Sequence, residues 1–313
     1  MPYPSILRRT KMYDIIIVGA GPAGLTAALY ALRADKTVLI LEKESFGGQI
    51  TRSPKVENYP TLMQISGEEL GQMMVDQVAE HGADMEFAEV LEIRDGEIKT
   101  VVTDMGEYEG RAVIIAAGSK HRQLGLERED ELTGCGVCYC AVCDGAFFAD
   151  MDVAIVGGGN TALQEAVMLS ELCSHVTVLQ NLSFMTGEKK LVDTLAKKDN
   201  VTMVFDTLVT ELLGDSKLEG VRLHNTKTDE NSELRIEGLF VAIGQQPENE
   251  CFANVAKLNE YGYIAADETC TTGTEGIFVA GDCRTKAIRQ VTTASADGAV
   301  AALAACRYID SKK

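Results

Sequence analysis

The sequence predicts an α/β protein with two Rossmann-like dinucleotide-binding domains, the second inserted into a discontinuous first. Three observations predict it. An apolar strand runs into Gly19-Ala-Gly21-Pro22-Ala23-Gly24 near the N-terminus, and another runs into Gly157-Gly-Gly159-Asn160-Thr161-Ala162 in mid-chain. A third strand ends at Gly281-Asp282 near the C-terminus, so that the two halves of one domain flank the other. The length of 313 residues suits two domains of roughly 100–200 residues each.

The first unit is "YDIIIVGAGPAGLTAALYALR", a strand, a glycine turn and a helix with Leu25, Ala28 and Leu32 on one side. Glycines there permit a tight turn and close approach to a pyrophosphate, which the helix N-terminus then faces. The next strand, "KTVLILE", ends at Glu42, 23 residues beyond Gly19. An acid at that strand tip accepts hydrogen bonds from ribose hydroxyls. Strand, glycines, helix, strand and acid in this order point to an adenine dinucleotide, which a lone G-x-G-x-x-G does not.

The pattern recurs in "MDVAIVGGGNTALQEAVMLSEL", and the following strand, "HVTVLQ", ends at Gln180, again 23 residues beyond the first glycine of the turn. This is an internal repeat of a mononucleotide-binding half. An amide replaces the acid. The unit reads as a nicotinamide nucleotide site formed by Gly157, Gly159, Asn160, Thr161 and Gln180, or as a Rossmann turn that binds nothing.

Two further segments have the same grammar. "AVIIAAGSKHR" enters a turn at Gly118, and "GIFVAGDC" ends at Gly281-Asp282. Asp282 is placed to bond a ribitol hydroxyl, and a helix starting near Gln290 to point its positive end at a flavin ring. Both are otherwise ordinary strand-turn-helix units. The expected boundaries are 12–121 and 248–313 for the discontinuous domain, 122–247 for the inserted one, and 1–11 for an N-terminal extension.

The net charge of −18 excludes the basic face that a nucleic-acid or anionic-membrane binder needs. No apolar run approaches the ~18 residues of a membrane span, and the Arg8-Arg9 pair precedes too short an apolar run for an export signal. A cytoplasmic location is expected.

Nine cysteines in an acidic chain are an odd number, unlike a secreted disulfide framework. Four crowd into "CGVCYCAVC" as two C-x-x-C pairs, Cys135/Cys138 and Cys140/Cys143. Two cysteines so spaced at a helix start can close a small ring, and a helix N-terminus favours the thiolate. "DGAFFAD" is not strongly helical, which limits the second effect. Asp144 follows Cys143 and can deliver protons to leaving thiolates, or serves as a turn residue before Gly145. Cys135 and Cys138 read as small residues on a strand. A second relay dithiol and a four-thiolate metal site are the alternatives; one residue between the inner thiols opposes a closed tetrahedron. No metal is expected. Cys173, Cys251, Cys270, Cys283 and Cys306 read as small buried residues. His81, His121, His175 and His224 lack metal-ligand spacing.

"GAGPAG", "GGQI" at 47–50, "VENYP" at 56–60, "CAVCDG" at 140–145, "GGGNTA" at 157–162, "AGD" at 280–282 and "RQV" at 289–291 together resemble the low-molecular-weight thioredoxin reductase family. These are FAD-dependent pyridine nucleotide-disulfide oxidoreductases, and the resemblance runs from Met12 to nearly the end. It implies thioredoxin-disulfide reductase activity, a homodimer and one FAD per subunit. It places FAD along Gly19, Gly21, Pro22, Ala23, Glu42, Gly48, Gln49, Asn58, Gly118, Gly281, Asp282, Arg289, Gln290 and Val291. It implies that Cys143 faces the flavin, that Cys140 attacks the thioredoxin disulfide, and that the inserted domain swings between two orientations.

The donor departs from the family pattern. Members that use NADPH show His-Arg-Arg and then Phe-Arg after the second strand. Aligned through "EKK" at 188–190, this chain has Gln180-Asn181-Leu182 and then Met185-Thr186. A 2′-phosphate would lose ionic partners worth about 1.5–3 kcal/mol each. Three donors are compatible: NADH with Gln180 on its ribose, NADPH held by Lys189 or Lys190, and reduced ferredoxin, against which the acidic charge counts. Competing functions are a flavin-dependent reductase or oxidase of another disulfide on this scaffold, and a four-cysteine metal or redox sensor.

Overall fold

The computed structural model describes residues 11–53 and 55–312. The predicted extension lies, apart from Lys11, outside the described residues. The chain divides into two compact units, one of 59–120, 246–312 and the stretch up to residue 53, the other of 55–58 and 121–245.

In the first unit, strand Met12–Val18 lies between Val38–Glu42 and Gly106–Ile115 and is parallel to both. Ile15, Ile16 and Ile17 are fully buried, as a strand covered on both faces requires. Asp84–Phe87 extends one edge in parallel, and Lys99–Thr103 and Val90–Arg94 extend the other in antiparallel fashion. Ile277–Val279 returns near the C-terminus to pair in parallel with Gly106–Ile115. That return brings Gly281-Asp282 into the same unit as the first glycine turn.

Helix Pro22–Arg33 starts on Gly21 with proline at its first position, where no N–H is missed. It buries Leu25, Ala27, Ala28 and Ala31, and packs on the final helix, Val291–Ser311, through Ala301, Ala302 and Ala305. Small residues let the backbones approach closely. A Cβ on Gly298 would lie 2.2 Å from Ala23 O. Gly298→Ala should therefore force the helices apart and cost about 1–3 kcal/mol, despite alanine's better helix propensity. An unchanged denaturation midpoint would contradict this contact.

In the second unit, Val201–Val204, His175–Leu179, Asp152–Val156, Gly238–Val241 and Val137–Cys138 form a parallel sheet in that order. Helix Asn160–Ser170 covers one face through Leu163, Ala166 and Leu169. An antiparallel sheet of Thr207–Leu213, Gly220–Asn225 and Glu230–Arg235 shares the core of the other through Val209, Val221 and Leu223. Both units thus carry the predicted strand, glycine turn, helix and second strand. Among the described residues, no helix is long and apolar enough to cross a membrane.

Candidate active site

The first glycine turn is an open cradle made by backbone that no other residue could form. Gly19 has φ +104°, and a Cβ there would lie 2.3 Å from Ala116 O. Gly21 meets Gly48 across the turn, where a Cβ on Gly48 would lie 2.7 Å from Gly21 Cα. Gln49 follows Gly48 in one turn of 3-10 helix, Gly48–Arg52. Glu42 is buried; its Oε2 accepts from Ala20 N at 2.8 Å and its Oε1 from Glu44 N at 2.7 Å. Carboxylate oxygens hold two lone pairs each, so both retain capacity for ribose hydroxyls. Gly118, at φ +69°, has nothing within 4 Å of an added Cβ.

Gly281-Asp282 sits against the same turn, since a Cβ on Gly281 would lie 2.8 Å from Ala23 Cβ. Asp282 Oδ1 is buried without a hydrogen-bond partner, and burial pushes the carboxyl up to about 6. An orphaned buried oxygen is costly unless a ligand donates to it. The cradle and this acceptor fit the dinucleotide and ribitol of FAD. Arg289 donates to Asp282 O at 3.3 Å and lies 4.2 Å over the Tyr263 ring. Gln290 caps the final helix, which begins at Val291, in a reciprocal box with Thr293. Asn58 is exposed in the stretch Lys55–Asn58, which groups with the second unit.

Sequence reading missed Asp297. Its Oδ2 accepts from Gly281 N at 3.0 Å, Arg284 Nε at 2.9 Å and Lys286 Nζ at 2.9 Å; its Oδ1 accepts from Arg284 Nη2 at 2.7 Å. All three side chains are nearly fully buried. Burial pushes the Asp297 carboxyl up, but the bonds from Arg284 and Lys286 outweigh it and hold the carboxyl below its ordinary range. A single acid on the alanine-rich face of "TTASADGAVAALAA" was the available signal.

In the second unit Cys140 and Cys143 are joined as a disulfide with Cα atoms 5.3 Å apart. Cys140 caps the four-residue helix Ala141–Asp144, and its Sγ accepts from Cys143 N at 3.2 Å. A 3-10 turn, Gly145–Phe148, follows, so the helix dipole is small, as the sequence indicated. Val142, between the cysteines, is 57% exposed and offers a partner an apolar contact beside the sulfurs. Burial pushes the Asp144 carboxyl up to about 6, opposed in part by the neighbouring Cys138 thiol.

The first cysteine pair divides in the structure: Cys138 lies on a strand, as expected, and Cys135 does not. Cys138 is buried on its strand and its thiol is pushed well up by burial and by Asp144. Cys135 is exposed and lies before the strand. The pair therefore differs within itself, one thiol buried and the other exposed. Among the described residues, no three His, Cys, Asp or Glu side chains are grouped to hold a metal ion. Cys173, Cys270, Cys283 and Cys306 are buried, and Cys251 is partly so. Burial pulls His121 down to about 4, and its ring lies 5.5 Å from that of Tyr139.

The second glycine turn matches the first in backbone. Gly157 has φ +136°, and Thr186 N and Gly187 N donate to Gly158 O at 2.8 Å, as Gly47 N does to Ala20 O at 2.9 Å. Gln180 is buried; its Nε2 donates to Phe184 O at 3.0 Å and its Oε1 accepts from Asn181 N at 3.1 Å. One N–H and one lone pair of this amide remain for a ligand. Asn160 begins the helix, its Oδ1 accepting from Glu188 N at 2.7 Å, and Thr161 is exposed beside it. Residues 181–188 contain no Lys or Arg, and Lys189 and Lys190 are exposed.

Residues 13–298 match the pyridine nucleotide-disulphide oxidoreductase family. The thioredoxin reductase of Listeria monocytogenes is 40% identical over 305 residues, covering 97% of this chain and 96% of that protein. A 34.2 kDa protein in the rubredoxin operon of Clostridium pasteurianum is 39% identical over 308 residues, 98% of this chain and 100% of that one. The crystal structure of thioredoxin reductase from Streptococcus pyogenes superposes with a TM-score of 0.92 at 38% identity, over 96% of this chain and 99% of that one. Membership implies FAD and a nicotinamide cofactor. With the glycine cradle, the orphaned Asp282 oxygen and the bonded C-x-x-C pair, these matches show that the chain belongs to the pyridine nucleotide-disulphide oxidoreductase family, among the low-molecular-weight thioredoxin reductases, and is an oxidoreductase acting on a disulfide.

Proposed function

We propose that this chain is a thioredoxin-disulfide reductase in which Cys140 and Cys143 carry two electrons to thioredoxin or a thioredoxin-like protein. The Cys140–Cys143 disulfide, flanked by exposed Val142 and backed by Asp144, is the observation that carries this reading. We read 12–121 and 248–313 as the FAD domain, 122–247 as the nucleotide and redox domain, and the assembly as a cytoplasmic homodimer.

Gly19, Gly21, Glu42, Gly48, Gly118 and Asp282 would hold FAD, which when bound supplies a two-electron carrier between donor and disulfide. Cys143 would take electrons from the bound flavin, and Cys140 is the nucleophile. The Cys140 thiolate attacks one sulfur of the partner's disulfide, forms a mixed disulfide and expels the other sulfur, which takes a proton from Asp144. Cys143 then attacks Cys140 Sγ, gives up its proton to the second partner sulfur as that sulfur leaves, and restores the internal disulfide. The dithiol loses two electrons and the partner gains two. The carboxyl near 6 keeps part of Asp144 protonated close to neutrality, as a general acid requires.

The absence of a basic side chain at 181–188 argues for a donor without a 2′-phosphate. The matched second turn and Gln180 support NADH. Reduced ferredoxin, which needs no phosphate contact, is the alternative, and the net charge of −18 counts against it. Anaerobic flavin bleaching with NADH, NADPH and reduced ferredoxin in turn tests this. NADPH should be at least about tenfold weaker than the physiological donor, the loss of one charge-assisted bond. Rapid bleaching by micromolar NADPH would contradict it.

A further inference from the structure

The Gly281-Asp282 turn rests on a buried cluster whose charges do not cancel. The side chains of Arg284, Lys286 and Asp297 are only 2%, 5% and 7% exposed. Two cations thus share one interior carboxylate. Glu268 also reaches Arg284 Nη2, at 3.3 Å, but it is 91% exposed and screened by solvent. The hydrogen bonds show which cation is in excess. Arg284 directs Nε and Nη2 at Asp297, at 2.9 and 2.7 Å, and Nη1 at Thr285 O, at 3.0 Å. Asp297 Oδ2 already accepts from Gly281 N and Arg284 Nε where it meets Lys286 Nζ. Among the described residues, that crowded oxygen is the one acceptor of Lys286. An ammonium has three N–H donors, so two are unused on a buried cation, which is costly unless a ligand takes them.

These donors belong to the dinucleotide cradle. Lys286 Nζ and Gly281 N converge on the same carboxylate oxygen, at 2.9 and 3.0 Å. Gly281 lies against Ala23 of the first glycine turn, and Asp282 beside it presents the orphaned Oδ1. Burial raises the Asp282 carboxyl, and Lys286 is the first of the charges that oppose it. Lys286 nevertheless leaves that oxygen without a hydrogen bond. A bound group with both a hydroxyl donor and a charged oxygen would satisfy the two residues together, and FAD carries both. We propose that Lys286 is a cofactor-binding residue whose ammonium donates to an anionic oxygen of bound FAD, on the pyrophosphate or on the reduced flavin ring, while Asp297 holds it in place. This rests on the reading of the Gly281-Asp282 turn as part of the FAD site. The two sources share their chemistry, a negatively charged oxygen that a desolvated ammonium binds strongly. They differ in when the bond forms. Pyrophosphate is charged in both oxidation states. The ring becomes anionic only on reduction, so a bond to it favours the reduced cofactor and raises the flavin potential.

The test compares Lys286→Met and Lys286→Gln with the wild type. Both remove the excess charge and leave the Arg284–Asp297 pair, so the unit should still fold, and Gln keeps an N–H for Asp297. Full-chain protein freed of flavin is titrated with oxidised FAD and with riboflavin, which has no phosphate. The midpoint potential of the flavin is then measured in the reloaded protein. Both variants should show at least one of two changes. A bond to pyrophosphate predicts FAD binding about tenfold weaker, the loss of one charge-assisted bond, with riboflavin binding and the potential unchanged. A bond to the reduced ring predicts unchanged dissociation constants and a potential lower by about 30 mV, which is tenfold for a two-electron couple. Equal weakening of FAD and riboflavin with an unchanged potential is the result of a purely structural role and overturns the proposal, as do unchanged values throughout. Wild-type protein that binds no FAD would instead refute the FAD reading itself, and the proposal with it.

Discussion

Cys140→Ser and Cys143→Ser should each abolish thioredoxin reduction, by roughly a thousandfold or more, as loss of an exchange nucleophile does. Flavin content should stay at the wild-type level, because neither residue belongs to the unit that carries the glycine cradle. Serine cannot form the internal disulfide, so the two-electron store is lost whichever cysteine is changed. Cys135→Ser should leave the rate near the wild type, since Cys135 is exposed and lies outside the strand that supports Asp144. Steady-state turnover with thioredoxin, together with flavin absorbance, measures all three. Substantial thioredoxin reduction by Cys140→Ser, or its loss in Cys135→Ser, would overturn the assignment of the pair.

Asp297→Ala should destabilise the first unit by about 3–5 kcal/mol. The substitution leaves Arg284 and Lys286 as buried cations without their shared carboxylate, and it removes the acceptor of the Gly281 N–H. Gly281-Asp282 is the turn that presents the orphaned carboxylate oxygen, so flavin should be lost along with stability. Asp297→Asn keeps an acceptor but not the charge, and should fall between the wild type and Asp297→Ala. Denaturant unfolding and the flavin-to-protein ratio check both. A fully stable, flavin-loaded Asp297→Ala would show that the buried ion pairs are dispensable.

The glycine turns were legible in the sequence because their physics is local. A turn that closes with φ between +104° and +136° and lets another backbone approach within Cβ distance requires glycine, and the flanking apolar strands mark its place. Glu42 was legible for the same reason, since a fixed spacing along one βαβ unit puts it beside Ala20 N. Asp297 was not. Its partners Arg284 and Lys286 lie on the loop before a 21-residue helix, and only the packing of that helix brings carboxylate and cations together. Cys138 showed its strand in the sequence, but the exposure of Cys135 depends on where that short strand begins.

The most direct measurement is to trap the exchange intermediate. FAD-loaded Cys143→Ser protein, reduced and then mixed with oxidised thioredoxin, cannot resolve its mixed disulfide, so peptide mass spectrometry can identify the cysteine that holds the partner. A single adduct through Cys140 is expected. An adduct through Cys135 or Cys138, or no adduct under conditions where the wild type turns over, would contradict Cys140 as the nucleophile and Cys140/Cys143 as the carrier of the electrons.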